Sequence, residues 1–444
     1  MGSGKKKKFL HALKAISLIW AGSLAGGFLG FAVQILLARN FQPSDYGAFS
    51  SAFATINLLA PLCGFGVGSL WLRIYAQYGP NATSWIRPSL EFCALSTGLT
   101  FVVLILWACL GVHNSSEKIL LFAMSPIFLW QLAVGLVSSK LQLEQRYGVF
   151  TYWQVSQYFF RLLGVAVLAT LGFLTVYTAS LLYAALAVGT FIFSFPHISK
   201  LLRKQANITF SPDLNYAAQS HVGIKEVWTG AWPFGFAGFF YLIYFQSNII
   251  IINHIRSPAD AGIYNVAFTI LSALYLFPSA IYQKFLLARM HRWAAHSPHT
   301  LLNICRAGGI IMFGIGCGVG LAVYFSKDWL IHIMFGGKYS EAPYILGILC
   351  LCLPIRFYAT AIGSALATQD HMRTKVKYMG FTALANIAIN FALIPRFGLH
   401  GAAVATVFSE FTLLVLYRHH LKRHVFGLKA WDDWQWKVFF RKSP

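Results

Sequence analysis

Acidic residues are scarce in this chain. Only 13 Asp and Glu stand against 35 Lys and Arg in 444 residues, and charged residues of both signs make up 11% while hydrophobic ones make up 57%. That leaves too little polar surface to cover a soluble globule of this length. A disulfide framework is missing too. The seven cysteines lie in or beside apolar runs, and Cys350 and Cys352, two apart, point to different helix faces. They read as small core residues. His291, His296 and His299 share a polar loop without a Cys or an acid at ligand spacing, so no metal site is expected there. No glycine-rich loop leads into Lys-Ser or Lys-Thr, which excludes a recognisable ATPase within the chain.

What the chain has is apolar runs of about 20 residues, each long enough to cross roughly 30 Å of hydrocarbon. The first, Ala15 to Leu37, follows Lys5 to Lys8. It is too long for a signal-peptide core and has no A-x-A site, so it reads as a retained helix. Gly22, Gly26 and Gly30 recur along it at the spacing that lets another helix approach closely. Five more runs follow: Gly47 to Tyr78, Ser89 to Leu110, Ile119 to Val137, Phe150 to Leu171 and Val176 to Phe195, with a charged loop at Lys140 to Arg146. Residues 196–227 are polar and too short to bury a core of their own, so they read as a cytoplasmic linker. Six further runs then occupy 228–420: Trp228 to Ile252, Gly262 to Leu287, Ile304 to Phe325, Ala342 to Ala367, Tyr378 to Ile394 and Leu399 to Tyr417. The expected fold is an all-α polytopic membrane protein of about twelve helices, six in 1–195 and six in 228–420. In the tail, 421–444, Trp431, Trp434 and Trp436 stand among charges, a composition suited to the headgroup level.

One stretch organises the rest because it occurs twice. Pro43, Asp45, Gly47, Ala52 and Phe53 return 215 residues later as Pro258, Asp260, Gly262, Ala267 and Phe268. In each copy Pro opens a helix where no N–H is lost, and Asp sits in the first turn where the helix dipole favours an anion. The residues therefore punctuate structure, and they mark the second helix of each half of a duplicated protein.

Basic residues set the orientation. With the N-terminus cytoplasmic, only Arg39, Lys118, Arg256, Lys327, Lys338 and Arg396 fall in outside segments; apart from the midhelix arginines, every other Lys and Arg falls inside. Both termini are expected in the cytoplasm. The net charge of +22 then reports topology and attraction to anionic headgroups, and no nucleic acid is called for as a partner.

Two charges sit where water is hard to reach. Arg161 lies halfway along the fifth run and Arg356 halfway along the tenth, each with an insertion cost of about 2.5–3.5 kcal/mol. Gln154, Gln157, Tyr158 and Arg161 form one polar stripe, and Arg356 shares a face with Thr360, Gly363 and Ser364, Pro354 being placed to kink the helix ahead of it. Two explanations stand side by side. One is a structural ion pair, with Glu410 of the twelfth run as partner. The other is a cationic cavity for an anionic substrate. On the second view Arg161, Arg356, Gln157, Tyr158 and Arg73 form the candidate substrate-binding set, and Glu410 is the candidate coupling residue. Stripes at Tyr241, Tyr244 and Asn248 and at Thr382, Asn386 and Asn390 suggest a wet face in the second half.

Four segments in order carry a resemblance: L-A-R-N-F-Q-P-S-D-Y-G-A-F at 37–49, S-P-A-D-A-G-I-Y-N-V-A-F at 257–268, F-G-G-K-Y-S-E-A-P-Y-I-L at 335–346 and L-I-P-R-F-G-L-H-G-A-A-V-A-T at 393–406. Together they resemble Wzx-type oligosaccharide flippases, the polysaccharide-transporter branch of the MOP exporter superfamily. The resemblance implies two six-helix lobes of MATE-like fold around a central cavity with alternating access. It implies an undecaprenyl-pyrophosphate-linked oligosaccharide as substrate, moved across a bacterial inner membrane for surface polysaccharide such as O-antigen. No cofactor is implied; coupling to a proton or sodium gradient stands beside coupling to downstream consumption. Such flippases are expected to work beside a polymerase and a chain-length regulator. A MATE-type cation or drug antiporter would be expected to place an acid in the first-half cavity, and the first run has none. A membrane glycosyltransferase or polymerase usually needs a large external loop, and the longest external segment, Ser326 to Glu341, carries only Asp328 and Glu341. A lipid II flippase would be expected to have two further helices.

Overall fold

The computed structural model describes residues 3–111, 113–203, 208, 222–286, 290, 293–294, 297–367 and 371–427. The aromatic tail, most of the linker, and His291 and His296 lie outside the described residues. Among the described residues every regular element is a helix. The chain divides into two compact units, Met1–Asn265 and Val266–Pro444.

The first unit holds α1 (Ser3–Asn40), α2 (Pro43–Leu59), α3 (Val67–Tyr78), α4 (Ile86–Leu110), α5 (Ser115–Met124), α6 (Ile127–Leu143), α7 (Tyr147–Thr170), α8 (Val176–Leu202), α9 (Ile224–Ile255) and the first turns of α10 (Pro258–Ser279). The glycine face of α1 meets α7 as its spacing implies. A Cβ at Gly26 would stand 3.1 Å from the Tyr158 ring, and one at Gly22 would overlap the Thr151 methyl, so the small residues admit larger ones from the opposing helix. α9, which the duplication assigns to the second half, packs on α2, α3 and α4 within this unit. A repeat is defined by sequence and a compact unit by contacts, so the two divisions need not coincide.

Helix breaks are more numerous than the apolar runs suggest. The second run divides into α2 and α3 around Pro61, Gly64 and Gly66, and the fourth into α5 and α6 at Ser125 and Pro126. Of the charged loop expected at Lys140 to Arg146, only Glu144 to Arg146 lies between helices. α6 continues to Leu143, and Lys140 Nζ lies 2.5 Å from Glu144 Oε1, an i,i+4 pair whose two side chains are both buried. Each charge neutralises the other, which lets the helix end stay inside the packing.

The second unit continues α10 and adds α11 (Pro298–Phe335), α12 (Ala342–Leu349), α13 (Cys352–Gly363) and α14 (Met372–His420). α12 and α13 meet at a short break bent by 40°, and together they are long and apolar enough for one span. The bend falls at Cys350 and Leu351, just ahead of Pro354, which lies in the first turn of α13 where a missing N–H is tolerated. α14 is interrupted once, at Gly398, whose φ of 57° and ψ of −135° a side chain would resist.

Among the described residues nine helices are long and apolar enough to cross a membrane, ten with the bent pair, against the twelve or so expected. Two features account for the difference: Gln154, Gln157 and Arg161 lower the hydropathy of α7, and the eleventh and twelfth runs are the two arms of α14, which meet at the Gly398 kink and count as one. Five of the cysteines are buried as expected, but Cys109 is exposed, on the same α4 whose Leu95, Leu99 and Leu110 are turned outward.

Candidate functional site

Three constellations bring chemistry-bearing side chains together. The first is built on α7. Gln157 and Arg161 are one turn apart on its buried face and are 8% and 7% exposed. The Arg161 guanidinium lies 4.6 Å from the Tyr183 ring centre, 4.7 Å from Trp130 and 5.9 Å from Phe53. Among the described residues no carboxylate pairs with it, and the Gln157 Nε2 is buried without a hydrogen-bond partner. Aromatic faces hold the cation through their quadrupoles while leaving its N–H donors unspent. Nothing in the sequence pattern points to Trp130, Tyr183 and Phe53, since they come from α6, α8 and α2. Tyr158 is directed elsewhere, against Gly26 and Gly30 of α1.

The second constellation lies in the second unit. Arg356 of α13 reaches Glu410 of α14 with Nη1 to Oε2 at 3.5 Å, and its guanidinium stands 5.3 Å from the Tyr275 ring centre. Glu410 is completely buried, and neither of its oxygens accepts a hydrogen bond from a described residue. The ion-pair explanation therefore describes Arg356, while Arg161 pairs with no acid among the described residues. Thr382, Asn386 and Asn390 do not form a wet face. All three are buried, Asn386 Nδ2 donates to Ser409 Oγ at 3.0 Å, and Asn390 Nδ2 donates to the Asn386 carbonyl at 2.8 Å. Asn386 joins the two arms of α14, a buried amide finding its partner on the opposing arm, whereas Asn390 bonds back along its own arm.

The third is a cavity of about 360 Å³ in the first unit, where the break between α2 and α3 faces α6 and α9. Gly64 (φ 71°), Phe65 (φ 35°) and Gly66 (φ 84°) turn the chain through left-handed backbone there. Phe65 is held by stacking on Trp228, ring centres 5.3 Å apart, and by Phe236 edge-on at 5.1 Å. Ser69 of α3 lines the cavity, and Arg73, one turn further along α3, is exposed. Of the second-half stripe, Tyr241 lines this cavity, while Asn248 donates to the Tyr264 hydroxyl at 2.8 Å.

A smaller polar cluster closes the end of the first unit. Glu117 accepts from Asn253 Nδ2 at 2.8 Å and faces His113 Nδ1 at 3.5 Å, and His254 Nε2 lies 3.3 Å from that same His113 nitrogen. Burial, assisted by the neighbouring His254, pushes the His113 imidazole below its ordinary value, with Glu117 opposing.

The fold is shared with solved membrane transporters of low sequence identity. The chain superposes on a lipid II flippase MurJ in an inward closed conformation with a TM-score of 0.64 at 17% identity, covering 93% of this chain and 89% of that one. It superposes on an inward-facing multidrug resistance MATE transporter with a TM-score of 0.64 at 12% identity, covering 89% and 94%. By sequence the chain belongs to the polysaccharide biosynthesis protein family, whose profile matches residues 12–287. Among its relatives, the capsular polysaccharide biosynthesis protein CapF of Staphylococcus aureus is 22% identical over 93% of this chain and 99% of CapF. The probable low-salt glycan biosynthesis flippase Agl15 of Haloferax volcanii is 24% identical over 55% of this chain, a match that spans half the length of Agl15.

Proposed function

We propose that the protein is a flippase for a lipid-linked glycan, specifically an undecaprenyl-pyrophosphate-linked oligosaccharide, in a bacterial inner membrane with both termini cytoplasmic. Family membership and the flippase name carried by Agl15 support the activity. The observation that carries the charged half of the substrate is Arg161: a buried guanidinium, framed by aromatic rings, with no acid to neutralise it and an unpartnered amide one turn away. A planar fork of donors matches phosphate oxygens and keeps its charge at any relevant pH. A cation carrier would need the opposite sign at such a position. Gln157 extends the anion-binding set around Arg161, Arg73 offers an exposed cation near the helix break, and Arg356 acts through its pairing with Glu410. Glu410 couples transport to a proton or sodium gradient through its pairing with Arg356. A polymerase and a chain-length regulator receive the product.

The test is made on purified protein with a polyprenyl pyrophosphate carrying a defined oligosaccharide. Binding falls in the order wild type, Arg161→Lys, Arg161→Ala, with the thermal midpoint of all three alike. Normal binding by Arg161→Ala removes Arg161 from the substrate site.

A further inference from the structure

The cavity at the α2–α3 break has a lining that does not suit the charged part of such a substrate. Gly64, Gly68, Gln131, Gly135, Ser139 and Tyr241 are among its walls, and no charged residue contributes to it. Its volume is at the small end of the range for ligand sites, about 300–1,000 Å³. A pyrophosphate entering it would meet no cation among the described residues, and the lining is mixed, with Leu132, Leu136, Phe234 and Leu242 beside the amide and hydroxyl groups.

Three features instead fit a polar, uncharged group. Irregular backbone at membrane depth is tolerated where it is buried in protein or borders a cavity, and broken helices are where transporters place their substrates. This break carries the positive φ of Phe65, a non-glycine residue held in sparsely populated backbone space by Trp228 and Phe236. The second feature is the supply of hydrogen-bonding groups. Neither the Gln131 amide nor the Ser69 hydroxyl bonds a described residue, and Ser139 Oγ, which donates to the Gly135 carbonyl at 3.0 Å, still has lone pairs to accept with. The third is shape. A Cβ at Gly135 would meet nothing within 4 Å, so this glycine borders open space, and Tyr241, whose ring packs on Phe245 with centres 4.7 Å apart, is an exposed residue overall. Alternating C–H and O–H groups of a sugar can lie on such a ring while its hydroxyls meet the amide and hydroxyls opposite.

We infer that this cavity is a binding site for an uncharged sugar residue of the transported glycan, separate from the site of its charged group. The inference rests on the reading of the protein as a carrier of lipid-linked glycans. Gln131 follows Trp130, which packs on Arg161, so α6 contributes to the charge site and to the sugar site through consecutive residues. The cavity takes one end of a glycan and leaves the rest outside, which makes it a selector for the residue nearest the lipid or farthest from it.

Two probes separate the possibilities: polyprenyl pyrophosphate bearing a neutral disaccharide, and the same lipid without sugar. Wild type should prefer the glycosylated lipid by about tenfold in Kd, the scale of one or two good hydrogen bonds with ring contact. Gly135→Leu fills open space, and Gln131→Leu removes the amide without adding volume. Each should abolish the preference while leaving affinity for the bare lipid and the thermal midpoint unchanged. A preference that survives both substitutions overturns the site. Equal wild-type affinity for the two probes also overturns it and leaves the flippase reading standing, whereas wild-type failure to bind either probe brings down both.

Discussion

Gly47 is the position where one methyl group should do the most damage. The first turns of α2 and α10 cross there, backbone to backbone. A Cβ on Gly47 would overlap the Pro258 carbonyl oxygen and lie 2.6 Å from its carbon and 2.7 Å from the Gly262 nitrogen; one on Gly262 would overlap the Pro43 carbonyl oxygen. The obstacles are main-chain atoms anchored at helix starts, so no rotamer change relieves them. Restoring ordinary contact requires the two turns to part by roughly 1–2 Å, at the upper end of overpacking penalties or beyond, about 3 kcal/mol. Parting them also strains the bonds from Asn265 Nδ2 to the Tyr46 hydroxyl and Ser50 Oγ, both 2.9 Å. In a unit of this size the thermal midpoint of Gly47→Ala should fall by roughly 5–10 °C. Gly189→Ala is the control. It lies within α8, where a Cβ meets nothing within 4 Å, and it should be neutral or slightly stabilising. Equal midpoints for the two variants would refute the argument. Because Gly47 and Gly262 share one contact, the double variant should cost clearly less than the two single effects added together.

The Arg356–Glu410 pair should behave as a coupled unit. Arg356→Met alone leaves a buried carboxylate uncompensated, at about 3–5 kcal/mol, and adding Glu410→Gln should return most of it. Glu410→Gln alone should reduce transport with the amount of folded protein unchanged, and full transport by that variant would leave Glu410 a structural partner. At the end of the first unit, burial lowers the proton affinity of His113 in the folded state. The unfolded state therefore takes up the proton first as pH drops through about 6.5, and the stability present above that value is lost toward the lower folded-state value. His113→Gln should flatten the fall in thermal midpoint between about pH 7 and about pH 5, and an unchanged slope would show that His113 does not carry it.

The sequence by itself determined the medium and the material. With 57% hydrophobic and 11% charged residues the chain belongs in lipid, and its apolar runs of about 20 residues select helices, which satisfy each backbone group within their own segment. Spacing on one helix was equally legible. The Gly22, Gly26 and Gly30 face, the Gln157 and Arg161 stripe and the duplicated Pro-x-Asp-x-Gly turns are all local patterns, fixed by a period of 3.6 residues. Partnership between helices was not local, and there only the tertiary structure decided. It gave Glu410, already named as an ion-pair partner from the sequence, to Arg356, and it gave Arg161 a ring of aromatics. It turned the Thr382, Asn386 and Asn390 stripe inward, and it ran α6 through Lys140 so that this lysine pairs, buried, with Glu144 at the helix end. It also opened a cavity at a helix break that hydropathy had run together. The reason is that a side chain's energy in a membrane depends on which groups stand opposite it, and those groups lie tens or hundreds of residues away in the chain.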